Sequence, residues 1–143
     1  MARAMAEAEA AGARGEVPVG AVLVAPDGQV LAASGNRTRE LADPTAHAEI
    51  LAIREACRKS GSERLVGCDL YVTLEPCPMC ATAISFARIR RLYFGALDPK
   101  SGGVSHGPRI FSQPTCHHAP EVYEGIDAAR ARELLKAFFA DRR

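Results

Sequence analysis

The sequence predicts an α/β sandwich, in which α-helices pack against a central β-sheet. Short apolar runs rich in β-branched residues alternate along the chain with longer segments of helical periodicity. Two strand-like runs are each followed by a helical segment, so we expect at least one right-handed crossover between parallel strands. The chain has 143 residues, a length that predicts a single domain over residues 1–143.

The chain is predicted to begin with a helix and a β-hairpin. Residues 1–14 are rich in Ala and Glu, carry apolar residues at helical spacing, and are followed by Gly15. The apolar runs 17–24 and 29–33 then flank the turn sequence Pro26-Asp27-Gly28. Two such runs on either side of a turn predict a hairpin.

A second helix is predicted to begin at Asp43 and to end at Gly61. Asp43 has the side chain of a good N-cap, and Pro44 would occupy the first turn. Gly61 is the residue type that commonly ends a helix. We expect one apolar face of this helix to be buried. Its members are Ala46, Ile50, Ile53 and Cys57.

The second half of the chain is predicted to contain further strands, joined by a helix and a loop. The apolar runs 69–74 and 91–96 are predicted strands, and residues 77–87 form the helix between them. Residues 97–120 contain many prolines, glycines and polar residues, so we expect a long loop. Residues 121–123 are a candidate short strand.

The last helix is predicted to be capped by Asp127 and to bury one apolar stripe. Residues of this stripe recur at spacings of three and four, as expected for one helix face. They are Ala131, Leu134, Leu135, Phe138 and Phe139.

Composition restricts the environment of the protein more than its function. A net charge of +1 does not decide for or against nucleic-acid binding, because a polyanion requires only a local basic patch. No apolar run approaches the roughly 18 residues of a membrane span, and the N-terminus lacks the apolar core of a signal peptide. Five cysteines cannot all pair. We therefore expect a reducing compartment, no disulfides, no membrane partner and a cytoplasmic location.

Four residues in two short motifs supply the components of a hydrolytic zinc site. His47 and Glu49 form a His-x-Glu motif, and Cys77 and Cys80 form a Pro-Cys-x-x-Cys motif. His47, Cys77 and Cys80 are the predicted ligands of Zn²⁺. Glu49 is the predicted proton carrier. Three protein ligands leave the fourth position of a tetrahedral zinc open for water, which is typical of a catalytic site.

The spacing of these residues both supports and complicates the site. Cys77 and Cys80 are three residues apart at the start of a predicted helix, so both thiols project to the same side. His47 and Glu49 are two residues apart, which is roughly 200° on a regular helix, and only an irregular first turn would bring them together. If both helices begin here, their N-terminal ends favour thiolates, and the N–H of Ala48 or of Cys77 is a candidate oxyanion donor.

Each of these motifs, taken alone, is compatible with a different role. Cys-x-x-Cys alone is also compatible with half a structural zinc site or with a redox pair. Glu49 alone would be an exposed helix charge. The combination of His-x-Glu with Pro-Cys-x-x-Cys favours the catalytic zinc site over these alternatives.

Taken together, the motifs resemble those of zinc-dependent base deaminases. Further segments resemble the bacterial tRNA-specific adenosine deaminases, a family of the cytidine/deoxycytidylate deaminase superfamily. The resemblance extends from about residue 16 to the last helix. The similar segments are residues 16–22, 35–37, 43–49, 70–77 and 95–100.

This resemblance implies a fold, a reaction and an assembly. The fold is a three-layer α/β/α sandwich with a mixed central sheet, like that of cytidine deaminase, formed by one zinc-dependent deaminase domain. The reaction is hydrolytic deamination of adenosine to inosine at the wobble position of a tRNA anticodon stem-loop, expected in arginine tRNA. A zinc-activated water would attack, with Glu49 as proton shuttle. The assembly is a homodimer, with an interface expected around Ile84, Phe86 and Arg88.

The resemblance also implies substrate contacts for residues to which an ordinary structural role would apply equally. Asn36 would hydrogen-bond the flipped base, whereas a turn position is the ordinary expectation for this residue. Asp98 would contact the sugar of a neighbouring nucleotide, or would only begin an Asp-Pro turn. Val17 and Val19 would pack in the core and line the base pocket.

Two other functions are compatible with the same metal motifs. One is deamination of a free nucleobase or nucleoside, such as guanine or cytosine. The other is a non-catalytic, zinc-stabilised RNA-binding module, in which Glu49 would be dispensable. Asn36 and the segments 43–45 and 96–100 resemble the tRNA enzymes, and they favour the RNA-editing interpretation over a free-base deaminase.

A second group of potential metal ligands lies in the long loop. It consists of His106, Cys116, His117 and His118. Because a complete site is predicted elsewhere, we interpret this group as a local hydrogen-bonding or RNA-contacting segment.

Overall fold

A computed structural model describes residues 1–142, and its elements follow the predicted order. The strands form one sheet in the order β2-β1-β3-β4-β5, in which β1 is antiparallel to β2 and β3, while β3, β4 and β5 are parallel. The predicted mixed α/β sheet is therefore confirmed. The elements are α1 (Ala2–Ala13), β1 (Gly20–Val24), β2 (Val30–Gly35), α2 (Ala48–Ser60), β3 (Asp69–Leu74), α3 (Pro78–Phe86), β4 (Arg91–Ala96), a 3₁₀ turn (Ile110–Ser112), β5 (Glu121–Tyr123) and α4 (Ala128–Ala140).

Helices cover both faces of the sheet, as in a three-layer sandwich. Helices α1 and α4 contact each other and pack on one face, while α2 and α3 contact each other on the opposite side. The main core lies between the sheet and α2 and α3. Its central residues, buried at alternate strand positions, are Leu70, Val72, Leu92 and Phe94. Burial of this apolar surface is the main force that holds the layers together.

Helix α1 approaches the sheet so closely that strand side chains are excluded. A Cβ added at Gly20 would overlap the carbonyl oxygen of Ala4, and one added at Gly35 would lie 2.7 Å from the carbonyl oxygen of Glu7. Since glycine alone lacks Cβ, these two positions let the helix backbone rest directly on β1 and β2.

The start of α2 differs from the sequence prediction. The helix begins at Ala48, not at Asp43, and His47 occupies the N-cap position. Asp43 Oδ1 instead accepts the N–H and the hydroxyl of Thr45, at 2.9 and 2.7 Å. An aspartate can stabilise a local turn in this way as readily as it caps a helix. The predicted end at Gly61, in the left-handed conformation, is confirmed.

Two predictions for α4 are wrong in part. Asp127 stands at the N-cap position, but its side chain makes no capping hydrogen bond. Of the predicted stripe only Ala131 is buried, and Phe139 is 47 % exposed. The helix lies over β4, close to the edge of the sheet. Leu135 packs against the core from one side and, together with the exposed Phe139, lines a surface cavity.

The expected interface residues differ in exposure. Ile84 is fully buried within its own chain and therefore cannot reach a partner, whereas Phe86 is 71 % exposed. Arg88 is half-buried and begins the turn into β4 with a positive φ of 61°. In residues 1–142, no helix combines the length and the apolar character needed to cross a bilayer.

We predict that Gly20→Ala destabilises the fold by about 2–3 kcal/mol, because the new methyl group would displace the backbone of α1. Urea unfolding of the zinc-loaded protein measures this loss. Gly12→Ala is the matched control, since its nearest non-local atom is the Pro18 Cβ at 3.3 Å, and its effect should stay within about 1 kcal/mol. Equal effects of both substitutions would contradict the role of the close contact.

Candidate active site

Three predicted metal ligands converge at one point of the structure. His47 Nδ1 lies 3.6 Å from Cys77 Sγ and 3.5 Å from Cys80 Sγ, and all three atoms lie within 4.8 Å of one another. A tetrahedral zinc with ordinary Zn–S and Zn–N distances separates its nitrogen and sulfur ligands by about 3.6 Å. The donor set therefore fits zinc in chemistry and in spacing.

The ligands occupy the beginnings of two helices. His47 is the N-cap of α2 and Cys77 is the N-cap of α3, each with extended backbone, and Cys80 lies in the first turn of α3. The extended backbone at His47 removes the difficulty of its separation from Glu49, because the two residues do not share a regular helical turn. Both helix dipoles present their positive ends to the site, which favours thiolates there.

The electrostatics of the thiols also suit a cation. A hydrogen bond from Cys80 lowers the pKa of Cys77 to about 4, and the same bond together with burial raises the pKa of Cys80. Hydrogen bonding to Cys77 raises the pKa of His47. The two sulfurs thus share one proton, and a divalent cation would replace it when it binds.

Glu49 is placed beside these ligands as a buried acid. Its side chain is almost inaccessible, with 4 % of the residue exposed, and it lies within hydrogen-bonding reach of Cys80. Burial raises the pKa of Glu49 to about 7. A carboxyl group that titrates near neutrality can both accept and return a proton, which is the property required of a general base that later acts as an acid.

A cavity of about 230 Å³ opens onto this centre. His47, Glu49 and Cys77 contribute to its lining. The sequence-predicted substrate contacts in the same lining are Val17, Val19, Asn36 and Asp98. The structure therefore brings together predicted substrate contacts that are up to 81 positions apart along the chain, from Val17 to Asp98.

Ala48 does not have the free N–H that the sequence led us to expect. Its N–H donates to Asn36 Oδ1 at 2.8 Å. That contact also fixes the orientation of the Asn36 amide, because only the oxygen can accept from the Ala48 N–H. The amide nitrogen of Asn36, and not the Ala48 N–H, is thus the group that can donate to a ligand in the cavity.

Asp98 makes the predicted local turn and also lies at the cavity. Its Oδ1 accepts the N–H groups of Lys100 and Ser101, at 3.2 and 3.0 Å, which is the hydrogen bonding of a local turn. The same residue lines the cavity. The turn that Asp98 stabilises is therefore part of the cavity wall.

Two buried glutamates that shape the cavity were missed by the sequence interpretation. Glu16 accepts the N–H groups of Arg39 and Glu40, at 3.1 and 2.8 Å, and so holds the loop that follows Asn36. Glu75 accepts N–H groups from the loop that contains Asp98. A carboxylate directly after the apolar strand 69–74 was the available signal, since an ionised group in such a position must find partners.

The second group of potential ligands is a hydrogen-bonding cluster. His118 Nε2 contacts the carbonyl oxygen of Ile89 at 2.7 Å, and Cys116 Sγ donates to the carbonyl oxygen of His118. His106 contacts Glu75 instead. Among residues 1–142, only His47, Cys77 and Cys80 bring three potential ligand atoms close enough together to bind one metal ion.

Comparisons with known proteins agree with this geometry. Residues 1–96 match the family described as the cytidine and deoxycytidylate deaminase zinc-binding region. The chain is 65 % identical, over its whole length and 93 % of the relative, to a tRNA-specific adenosine deaminase of Agrobacterium fabrum.

Two solved structures share the fold. One comes from a study of A-to-I editing by tRNA:A34 deaminases at the wobble position of transfer RNA, with a TM-score of 0.92 and 67 % identity over 94 % of this chain and 97 % of that one. The guanine deaminase of Bacillus subtilis has a TM-score of 0.66 and 33 % identity over 99 % of this chain and 90 % of its own.

The matched family region and the His-Cys-Cys donor set make zinc the metal of this site. The fold, the convergent ligands and the near full-length similarity lead to one assignment. The chain belongs to the cytidine and deoxycytidylate deaminases and, within them, to the tRNA-specific adenosine deaminase family.

Proposed function

We propose that this protein converts adenosine to inosine at the wobble position of a tRNA anticodon loop, with arginine tRNA as a substrate. The observation that carries the proposal is the buried Glu49 beside the triangle of His47, Cys77 and Cys80, at the end of a small cavity. Similarity to tRNA-specific adenosine deaminases supports the choice of substrate. Such an editing enzyme works where tRNA is found, which in a bacterium is the cytoplasm.

The chemistry requires a base that is held in place and a proton that is moved. When bound, zinc acts as a Lewis acid and makes water nucleophilic near neutral pH. The Glu49 carboxylate takes one proton from the attacking water and gives it to the ring nitrogen, and then carries the second proton of that water to the amine, which leaves as ammonia. The Asn36 amide, oriented by the Ala48 N–H, donates to the base and fixes its position.

The dimensions of the site favour one flipped base over a larger enclosed ligand. The cavity of about 230 Å³ is smaller than the roughly 300–1,000 Å³ of sites that enclose drug-sized molecules. Its lining by Val17 and Val19 provides apolar contact for a planar ring. Anticodon loops are single-stranded, so flipping one base out of the loop costs little.

A second, larger cavity favours a polynucleotide over a free base. It has about 620 Å³ and shares Val17 and Asp98 with the first cavity. The exposed Phe139 ring suits stacking with a base that neighbours the flipped nucleotide. The positive charges of Lys100 and Arg142 suit the phosphates of the same strand.

A second candidate function is deamination of a free base such as guanine. The similarity in sequence and fold to the guanine deaminase of Bacillus subtilis favours this alternative. The same metal ligands and the same acid would serve either substrate. Variants of the metal site therefore cannot distinguish the two functions, and an assay with both kinds of substrate is needed.

We further propose that two copies of this chain form a dimer through the end of α3. Phe86 projects from that helix end with 71 % of the residue exposed, beside a surface hollow of about 340 Å³. An aromatic side chain of this exposure is typical of the anchors found at protein interfaces. Phe86 is the last residue of α3, and Cys77 and Cys80 lie at the start of the same helix. The interface would therefore hold in place the helix that carries two of the metal ligands.

Glu49→Gln is expected to lower turnover by about 10²–10⁴-fold while zinc content and RNA binding are kept, because only the proton carrier is lost. Cys80→Ser should instead lose both zinc and turnover. Metal analysis and single-turnover inosine formation separate the two effects. Glu55→Gln on the same helix is the control and should behave like the wild type. Turnover retained by Glu49→Gln would exclude the proposed mechanism.

The substrate is tested with the zinc-loaded protein and an anticodon stem-loop of arginine tRNA that carries adenosine at the wobble position. Free adenosine, cytosine and guanine are assayed in parallel, and inosine and ammonia are quantified. We expect inosine in the stem-loop and no ammonia from the free compounds. Ammonia from guanine with an unmodified stem-loop would transfer the assignment to the second candidate.

Phe86→Asp is expected to convert a dimer into a monomer, because a charge would be buried without a partner. Sedimentation equilibrium should give twice the 15.2 kDa chain mass for the wild type and a single chain for the variant. Val30→Asp is the control, since Val30 is 43 % exposed and lies in the outer strand β2, which β1 separates from the strands that α3 connects. A wild-type monomer would refute the interface.

A further inference from the structure

Glu75 carries a buried charge whose hydrogen bonds all lead to one segment of the chain. Its side chain is fully inaccessible to solvent. Oε1 accepts the N–H of Asp98 at 3.0 Å and contacts His106 Nδ1 at 2.7 Å. Oε2 accepts the N–H groups of Val104, Ser105 and His106 at 3.2, 2.9 and 3.1 Å. We name residues 98–106 the 98–106 segment.

These contacts are strong enough to set the conformation of the segment. Four backbone N–H groups point at the two oxygens of Glu75, and a backbone N–H can only donate. These donors suit an ionised carboxylate, which can only accept hydrogen bonds. In the contact between His106 Nδ1 and Glu75 Oε1, the proton is therefore on Nδ1, which donates to the carboxylate. Hydrogen bonds to a charged group are among the stronger ones in proteins.

Two glycines let the 98–106 segment lie directly on its support. A Cβ added at Gly102 would overlap the Glu75 carboxylate, and one added at Gly103 would lie 2.5 Å from the nitrogen of Pro78. The N–H of Gly103 also donates to the carbonyl oxygen of Pro76 at 2.8 Å. The segment is thus packed against the first turn of α3, which carries the metal ligands.

The supported segment forms part of the substrate cavity. Asp98 and Ser101 line the 230 Å³ cavity together with Cys77, which lies two residues after Glu75. One carboxylate therefore connects the wall of the cavity to the helix of the metal site. The proton transfer proposed for Glu49 involves neither Glu75 nor the His106 ring.

We propose that Glu75 and His106 are positioning residues that hold the 98–106 segment in the shape that binds RNA, and so control substrate affinity more than turnover. This rests on the proposed function, because the affinity concerned is that for the anticodon loop. The contribution of His106 is one N–H group at a fixed point. An asparagine at this position can supply the same group, since its Nδ2 stands at the same distance along the side chain as Nδ1 of histidine.

The test compares His106→Ala, which removes the donor, with His106→Asn, which keeps it. Glu75→Ala is less informative, because it would leave four buried N–H groups unpaired and could unfold the segment. Glu124→Gln is the matched control: Glu124 accepts the Ser105 hydroxyl at 2.8 Å from the exposed side of the same segment. All variants are zinc-loaded full-length proteins.

We expect His106→Ala to raise KM for the anticodon stem-loop about tenfold, with kcat within about threefold of the wild type. His106→Asn and Glu124→Gln should stay within about threefold in both constants. A fall in kcat at unchanged KM, or equal effects of Ala and Asn, would overturn the positioning role.

Hydrogen exchange without RNA tests the same contact independently of editing. The amides of Val104 and Ser105 should exchange faster in His106→Ala and at the wild-type rate in His106→Asn. If the wild type fails to edit the stem-loop, the proposed function fails, and stem-loop affinity together with exchange then decides the positioning role. Unchanged exchange and unchanged affinity in His106→Ala would refute it.

Discussion

The chemistry of this protein depends on two helices that begin at the same place. Strands β2 and β3, both antiparallel to β1, end on the same side of the sheet, and α2 and α3 start there with His47 and Cys77 as their N-caps. Side chains at N-cap positions normally satisfy the first N–H groups of their own helix. Neither His47 nor Cys77 does so. Both point their donor atoms at each other, and the metal site results from that arrangement.

Two glutamates in this region show how environment divides one residue type between two tasks. Glu49 lies beside His47, Cys77 and Cys80, and burial raises its pKa to about 7. Burial acts on Glu75 in the same direction, but the N–H groups around it outweigh burial and hold its pKa below the usual value. Few donors surround the Glu49 carboxyl group, so burial decides its pKa, whereas five donors surround Glu75 and keep it ionised.

The sequence predicted those features that depend on neighbouring residues. Strands at 69–74, 91–96 and 121–123 were bounded correctly, since turn residues flank each apolar run. The start of α2 was wrong because Asp43 satisfies Thr45 instead of a helix. The exposure of Phe139 was unforeseen, because periodicity identifies one face of a helix but not what covers it. Glu75 was missed because its partners lie 23 to 31 positions later, and no local pattern connects them.

The outer strand β5 determines how open this edge of the sheet is to other chains. It has three residues, all exposed, and is attached by the stacking of Tyr123 on Tyr93 at 5.0 Å and by the Glu121–Arg91 ion pair. An open sheet edge can recruit strands from other molecules and lead to aggregation, but three residues with a charged flank offer too short a template. Strand β5 therefore protects this edge of the sheet against extension by strands of other molecules.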